Sequence, residues 1–583
     1  MPNRNINVVT RQLWRLVRQN QKPSLYTAMI SNGSSATISD PPTRIGSKIP
    51  MEYDTHSYAT VLAHTKPATS PPAATVEDLI FYPKGHASSY LKKNHSKADV
   101  NKAFEEAIQA LNSLQSNDNA IRNSIQNTRI NTKEDTIRYL ERSGLPLTTV
   151  EKLSFIHVAG TKGKGSTCAL AESLLRHHGA HTGFFSSPHI MHTNERIRID
   201  GQPMDKEKFT KLFWKVYNRL KEQSEHETDM PAYFKFLTIL CFHAFVEEQV
   251  DVAILEVGIG GEQDTTNIVR NVRTVGITSL GLEHTELLGN TLQKIAWQKA
   301  GIIKPNSHVY THVTQPECLQ VIRDRASDNQ ATVHEVPRME DYFHYNLQDK
   351  YLDSFHNTIL LNGSLAIQLV YDWLDQTEGP LHRAHKPNET KMCPEVLMGL
   401  RNTHWPGRCQ LVEFHNMRLH FDGAHTPESM KICTDWFQTS TSHNSNPKIL
   451  IFNRTGDTDP IEMLQILQNA CRFDLACFVP NLATTNPNRP SQVMVRYSGE
   501  YQITRAHAIA KTWQKLSEAS KQTNTVLVHV SLWDAFLDIR ERYGIETNLD
   551  ILITGSIHLL GAAISALDQL HGANNDRPSN GHK

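Results

Sequence analysis

Hydrophobic and polar positions alternate between two periods along most of the chain. Short apolar runs at Leu153–Ala159, Val252–Leu255 and Val275–Leu280 have the length and β-branched content of buried strands. Between them the period changes to that of a helix. Ser166–His178 is one such stretch. Lys206–Gln223 is another, with Phe209, Leu212, Phe213, Val216, Tyr217 and Leu220 on one face. Earlier, Lys102–Leu114 and Thr132–Ser143 also read as helices. A second series follows Trp405, with strands expected at Ile449–Phe452, Ala476–Val479, Val526–Val530 and Ile551–Thr554. Strands separated by helices predict an α/β protein built on parallel sheets with helices on both faces.

The segment 376–396, with Pro380, Pro387 and Pro394, reads as loop and sets a boundary near 395–405. The expected organisation is a first domain over 100–400, a smaller Rossmann-like α/β domain over 401–572 and a disordered tail over 573–583. Polar stretches at 439–447 and 482–492 read as loops.

The first fifty residues differ from the rest. They hold Arg4, Arg11, Arg15, Arg18, Lys22, Arg44 and Lys48 against a single acid, Asp40. On a helix over 4–18, Ile6, Val9, Leu13, Leu16 and Val17 fall opposite the arginines. A basic amphipathic helix in acid-poor, Ser-containing sequence is the pattern of a mitochondrial transit peptide over 1–50. Met51 offers a second start that would leave a cytoplasmic form. Residues 51–99 read as a flexible insertion, Pro/Thr/Ala-rich over 61–78.

Composition narrows the function classes. Across 583 residues, 60 Lys and Arg balance 60 Asp and Glu, so no global basic field favours nucleic acid. No apolar run reaches the ~18 residues of a membrane-spanning helix. Eight cysteines are scattered without a CxxC pair, which disfavours a zinc knuckle or a disulfide framework.

The strongest local signal lies at the end of the first strand: Gly160-Thr161-Lys162-Gly163-Lys164-Gly165-Ser166-Thr167. Glycines between a strand and a helix let backbone N–H groups close around phosphate oxygens. The helix N-terminus adds favourable potential, and Lys164 adds a mobile cation. Ser166 or Thr167 could cap the helix or reach a metal. The spacing departs from the common GxxxxGK[ST] pattern, because two residues separate Gly160 from Gly163 and Gly165 follows the lysine.

This loop, with Ser186-Ser187-Pro188-His189 and Asn194-Glu195-Arg196-Ile197-Arg198, resembles the folylpolyglutamate synthases of the Mur ligase superfamily, in their eukaryotic form. So do Glu256-Val257-Gly258-Ile259-Gly260-Gly261, Asp264-Thr265-Thr266-Asn267, Leu282-Glu283-His284-Thr285 and Gln298-Lys299-Ala300-Gly301-Ile302. His356-Asn357 with Asn362, Trp405-Pro406-Gly407-Arg408 and Asp422-Gly423-Ala424-His425 complete the set, in the family's order over roughly 100–570. The resemblance implies a two-domain Mur-ligase-like fold. It implies an ATP-dependent ligase that adds glutamate to the γ-carboxyl of reduced folates and works as a monomer.

The same resemblance implies roles for residues. Ser187, Glu256 and His284 would bind Mg²⁺, and a monovalent cation such as K⁺ could assist. Lys164, Lys299 and His425 would act at the reacting groups, Lys299 either as a carbamylated metal ligand or as an ion-pairing lysine. Arg408 would clamp phosphate, Asp422 would accept from ribose, and Asn362 would bond the adenine edge. Asp422 and His425 could equally belong to an Asp-Gly turn. The aromatics of Met230-Pro231-Ala232-Tyr233-Phe234-Lys235-Phe236-Leu237-Thr238 could stack on a pterin or begin a core helix. Dihydrofolate synthase, alone or in a bifunctional form, shares these motifs, and a non-catalytic nucleotide-binding protein is a further alternative.

Overall fold

The computed structural model describes residues 97–114, 132–344, 357–454, 459–485, 498–522 and 524–575. The expected transit peptide, Met51 and most of the insertion up to 99 lie outside these residues. So do much of the 482–492 loop and the end of the tail.

The first lobe begins with helices α1 (Lys97–Asn112), α2 (Thr132–Arg142) and α3 (Leu147–Val150). Strand β1 (Phe155–Ala159) leads into α4 (Lys164–His177). Then come β2 (Thr182–Phe185), the hairpin β3 (Ile197–Ile199) and β4 (Gln202–Pro203), and helices α5 (Lys206–Glu222) and α6 (Tyr233–Glu248). Strands β5 (Val252–Glu256) and β6 (Thr274–Ile277) follow, with α7 (Thr285–Leu288) and α8 (Leu292–Ala300). The lobe closes with β7 (His308–Thr311), α9 (Pro316–Asp328), β8 (Thr332–Glu335), α10 (Asn357–Gln376) and α11 (Pro394–Arg401). Its eight strands run in the order β4-β3-β2-β5-β1-β6-β7-β8. They are parallel from β2 to β8, and β3 and β4 join as antiparallel edge strands.

The second lobe contains β9 (Gln410–Phe414), β10 (Met417–Asp422), α12 (Pro427–Thr441), β11 (Lys448–Phe452), α13 (Ile461–Ala470) and β12 (Leu475–Phe478). After α14 (Gly499–Ser520) come β13 (Thr525–Val528), α15 (Leu532–Tyr543), β14 (Leu549–Thr554) and α16 (Ile557–Asn575). The six strands run β13-β12-β11-β14-β10-β9, parallel except for β9. The chain passes from one sheet to the other over 402–409.

Local chemistry explains the elements. Asp205 caps α5 by accepting from the Glu207 and Lys208 N–H groups at 2.9 and 3.1 Å. Helix α6 is apolar on nearly every side, and it is buried nearly throughout. The hydrophobic runs read as strands appear as β1, β5, β6, β11, β12, β13 and β14. Strands β2, β3, β4, β7, β8, β9 and β10 are not among the expected ones: β2 to β4 are too short to stand out as apolar runs, and polar residues interrupt or flank the apolar ones in β7 to β10. The expected strand to Leu280 stops at Ile277, where the chain turns so that the Ser279 carbonyl accepts from the Thr161 N–H at 2.8 Å. Pro394 opens a helix instead of sitting in a loop, since proline suits a first helical turn. Helix α12 extends to Thr441, into the stretch read as loop. Helix α16 runs to Asn575, past the expected end at 572, anchored by buried Leu567 and Leu570.

The lobes share a contact that positions the site. Ile190 and Met191, in the loop after β2, are buried in the second lobe's core with Leu560 and Ile564. A side chain at Gly561 would put its Cβ 2.1 Å from the Ile190 carbonyl oxygen, so only glycine lets α16 pass this close.

Candidate functional site

In parallel α/β sheets ligands gather beyond the carboxyl ends of the strands. Here those ends carry the singled-out residues. Val158 pairs with Glu256 and Ala159 with Ile277, so the phosphate turn leaves β1 between the ends of β5 and β6. In the other lobe Asp422 and Phe452 both pair with Thr554.

The turn is braced on several sides. Gly163 caps α4 at φ 92°, a left-handed conformation that favours glycine. A Cβ there would lie 2.4 Å from Asn362 Oδ1. Asn362 is buried and accepts from the Thr167 hydroxyl at 3.4 Å, so its amide oxygen braces the turn. The Thr161 hydroxyl donates to the Gly281 carbonyl at 3.2 Å and accepts from the Gly281 N–H at 3.1 Å. Ser166 stands half-buried in the first turn of α4.

Two lysines share one acceptor. Lys164 Nζ donates to the Gly160 carbonyl at 3.0 Å, and Lys299 Nζ donates to the same oxygen at 2.7 Å. Burial, and then the neighbouring Lys164 charge, push the Lys299 amine down to about 7. A substantial fraction of neutral amine near neutral pH is therefore expected.

Glu256 ends β5, buried, and accepts from the Ser187 N–H at 2.9 Å. Burial raises its pKa, opposed by Lys164, the Ser187 N–H and Arg408. Its two carboxylate oxygens and the Trp405 ring crowd Gly165, where a Cβ would lie 3.2 Å from each oxygen and 3.0 Å from the ring. Trp405 also packs on Phe184 and carries the Arg198 guanidinium 5.3 Å from its ring centre. His284 caps α7 at φ 51°. Partial desolvation lowers its pKa, opposed by Glu283 and aided by the charges of Lys164, Lys299 and Lys162.

From the second lobe, Arg408 donates to the Gly407 carbonyl at 2.9 Å, and its charge reaches Glu256, Lys162 and Asp422. Asp422 is buried, with one oxygen accepting from the Cys409 N–H at 2.8 Å and the other from the Ala424 N–H at 2.9 Å. Its visible work is to hold the turn that presents Arg408 and His425. His425 Nδ1 lies 3.0 Å from the Gly423 carbonyl, and Nε2 lies 3.2 Å from Lys162 Nζ. An ammonium only donates, so a neutral His425 accepts from Lys162 at Nε2 and carries its proton on Nδ1, whereas the protonated ring directs Nε2–H toward Glu283, 3.5 Å away.

Lys162 also donates to Glu283 at 2.7 Å, and Glu283 lies 3.5 Å from His425. Against the effect of burial, His425 and Lys162 hold the Glu283 carboxyl well below the usual range. This triad joins the two lobes across the cleft. The sequence reading quoted Glu283 in its motif but gave it no role. Its sequence neighbour His284 is exposed, and the sequence carries no signal that Glu283 would meet Lys162 and His425.

The segment Met230–Thr238 divides. Tyr233 and Phe236 are buried in the core, as the core-helix reading has it. Phe234 is half-buried, between Phe185 and the position a side chain at Gly258 would occupy.

Among solved structures, a Mycobacterium tuberculosis folylpolyglutamate synthase complexed with ADP and AMPPCP matches with a TM-score of 0.59, covering 80% of this chain and 99% of that one at 20% identity. Escherichia coli FolC in complex with DHPP and ADP matches with a TM-score of 0.58, covering 81% and 98% at 21% identity. The fold is that of the two-lobed Mur-ligase-like proteins. Among curated proteins, the mitochondrial folylpolyglutamate synthase of Bos taurus is 39% identical over 445 residues, 71% of this chain and 74% of its own length. The Arabidopsis thaliana enzyme is 33% identical over 79% of this chain and 87% of its own length. The chain belongs to the folylpolyglutamate synthase family. No family model matches it.

Proposed function

We infer that this protein is an ATP-dependent ligase that joins L-glutamate to the γ-carboxyl of tetrahydrofolates, releasing ADP and phosphate. The observation that carries this reading is its 39% identity to a relative of that name over most of both chains. The polar groups of its two lobes meet at one phosphate-binding turn.

A carboxylate and an amine do not condense in water, because the acid offers no good leaving group. Transfer of the γ-phosphoryl group of ATP to the folate carboxylate gives an acyl phosphate. The α-amine of glutamate then displaces phosphate, forming the amide and losing a proton. The α4 N-terminus and Lys164 bind and orient the transferring group, whose negative charge they match by position. Lys164 gives up its Gly160 contact to do so. Arg408 adds a cation from the opposite lobe. His425, with Nε2 toward the cleft, is placed to accept the proton from the incoming amine once Lys162 moves to phosphate. Contact between the lobes keeps water from the acyl phosphate.

The donor set also fits Mg²⁺. Glu256 is a buried carboxylate that burial makes costly to ionise without a cation, and Ser187 and His284 add an oxygen and one imidazole. Bound there, Mg²⁺ would neutralise phosphate charge. The lowered pKa of Lys299 supports carbamylation, in which the neutral amine adds to CO₂ and releases a proton. Carbon-13 spectroscopy with labelled bicarbonate would show the carbamate. Relatives named mitochondrial and the basic, acid-poor sequence over 1–50 support mitochondrial import; the cytoplasmic form starting at Met51 rests on the position of that methionine alone. Mapping N-termini in each compartment tests both.

The functional test is Lys164→Ala. ATP-dependent incorporation of glutamate into tetrahydrofolate is expected to fall by at least about 100-fold, with circular dichroism unchanged. Unaltered turnover would remove the assignment. Running dihydropteroate beside tetrahydrofolate as acceptor separates this activity from dihydrofolate synthesis.

A further inference from the structure

At the far end of α4 from the phosphate turn, a second group of ligating side chains comes together. His178 follows the last residue of α4, and Cys393 is the N-cap of α11. Glu395 stands in the first turn of α11. His178 Nε2 lies 3.5 Å from Cys393 Sγ, and one ligand atom from each of the three residues falls within 4.8 Å of the others. Among the described residues no other three His, Cys, Asp or Glu side chains meet in this way.

We propose that His178, Cys393 and Glu395 form a binding site for a zinc-type divalent ion, separate from the catalytic cleft. Zinc bonds of about 2.0–2.3 Å in a tetrahedron put ligand atoms roughly 3.3–3.8 Å apart, which matches the histidine–cysteine distance. His178 Nδ1 lies 2.8 Å from the Leu174 carbonyl. The carbonyl takes the Nδ1 proton, so the Nε2 lone pair points at the site, and this outer hydrogen bond is the usual way to orient a ligating imidazole. Thiolate and imidazole suit zinc better than magnesium.

Charge also balances. Binding removes the thiol proton, S–H plus M²⁺ giving S–M and H⁺. Thiolate and carboxylate then neutralise the ion, and water fills the fourth position. Burial lowers the His178 pKa and raises that of the Cys393 thiol; the Glu395 carboxylate adds to the rise, and the Val396 and Glu395 N–H groups oppose it. Arg383 and His385 are the nearby basic groups. His385 stacks on Tyr371 with ring centres 4.0 Å apart and pairs with Glu389 at 3.1 Å, which holds it to its own neighbours.

The ion would tie the base of the phosphate-turn helix to the helix that leads into the 402–409 crossing. None of the residues assigned to the reaction takes part in holding the ion.

The test uses the full chain, stripped by chelator and titrated anaerobically with Co²⁺. A thiolate-to-cobalt charge-transfer band and strong tetrahedral d–d absorption should saturate at one equivalent and vanish on adding Zn²⁺. Cobalt in the catalytic cleft meets no thiolate from the assigned ligands and gives no such band. Cys393→Ser should abolish it. His178→Gln and the exposed Glu395→Gln should each weaken binding at least about tenfold. Weak octahedral absorption alone, or an unchanged band in the Cys393→Ser protein, would overturn the proposal.

Discussion

Asp264 offers a sharp test of how the loop after β5 is held. Its carboxylate is buried, and four groups donate to it. Oδ2 takes the Gly258 N–H at 3.0 Å and the Ile259 N–H at 3.1 Å. Oδ1 takes the Thr266 N–H at 3.0 Å and its hydroxyl at 2.5 Å. Asp264→Ala leaves three backbone N–H groups without their acceptor, that of Thr266 buried and those of Gly258 and Ile259 half-buried, each costing up to about 1–3 kcal/mol. The Thr266 hydroxyl keeps His157, 2.9 Å away. With partial relaxation the loss should be about 4 kcal/mol, a large share of the 5–15 kcal/mol typical of folded proteins. Asp264→Asn keeps the shape but must turn an NH₂ toward one pair of donors. The less damaging side is Oδ1, where the hydroxyl can rotate to accept and one N–H is orphaned, for about 2 kcal/mol. Urea unfolding of both variants gives the two values. Activity should fall alongside, since the same loop follows Glu256. Equal losses for Asn and Ala, or losses under about 0.5 kcal/mol, would refute the hydrogen-bond reasoning.

Asp229 accepts from the Glu225 N–H at 3.0 Å, Arg142 at 2.5 Å, Tyr139 at 2.9 Å and Arg138 at 3.2 Å, contacts that outweigh burial and depress its pKa below the usual carboxylate value. Its contribution is therefore present above about pH 4 and lost as pH falls through the depressed folded value. Asp229→Asn should cost about 2 kcal/mol at neutral pH, less than a fully buried pair because the arginines reach water, and the gap to wild type should close in acid denaturation curves. Gly561→Ala would drive a methyl into the Ile190 carbonyl, which should cost about 1–3 kcal/mol and lower kcat/KM by separating the lobes. An unchanged urea midpoint with unchanged kinetics would contradict that account.

Much of this was legible in the residues because the chemistry is local. The phosphate turn declared itself by glycines and lysine between a strand and a helix, and Glu256 by its place at the end of an apolar run. What the sequence left open depends on contacts across long separations. Asn362 read as a ligand for adenine, yet its burial against Gly163 comes from α10 crossing over α4, 199 residues on. Glu283 became part of the site only when folding brought Lys162 and His425 to it from either side. Strand β10 stayed hidden because Met417, Leu419 and Phe421 alternate with Arg418 and His420 and form no continuous apolar run. In the fold, Arg418 pairs at 3.0 Å with Asp550 on the neighbouring strand. Residues 178, 393 and 395 likewise show no spacing motif, being joined only by the packing of α11 on α4.

Burying Ile190 and Met191 in the opposite core has a practical outcome for anyone dissecting this molecule. A fragment beginning near residue 402 would carry an empty greasy socket, prone to clumping when expressed by itself. Supplied together as two separate pieces, the halves should recognise one another through that peg, which makes the 402–409 crossing a natural place to split the chain for a complementation reporter.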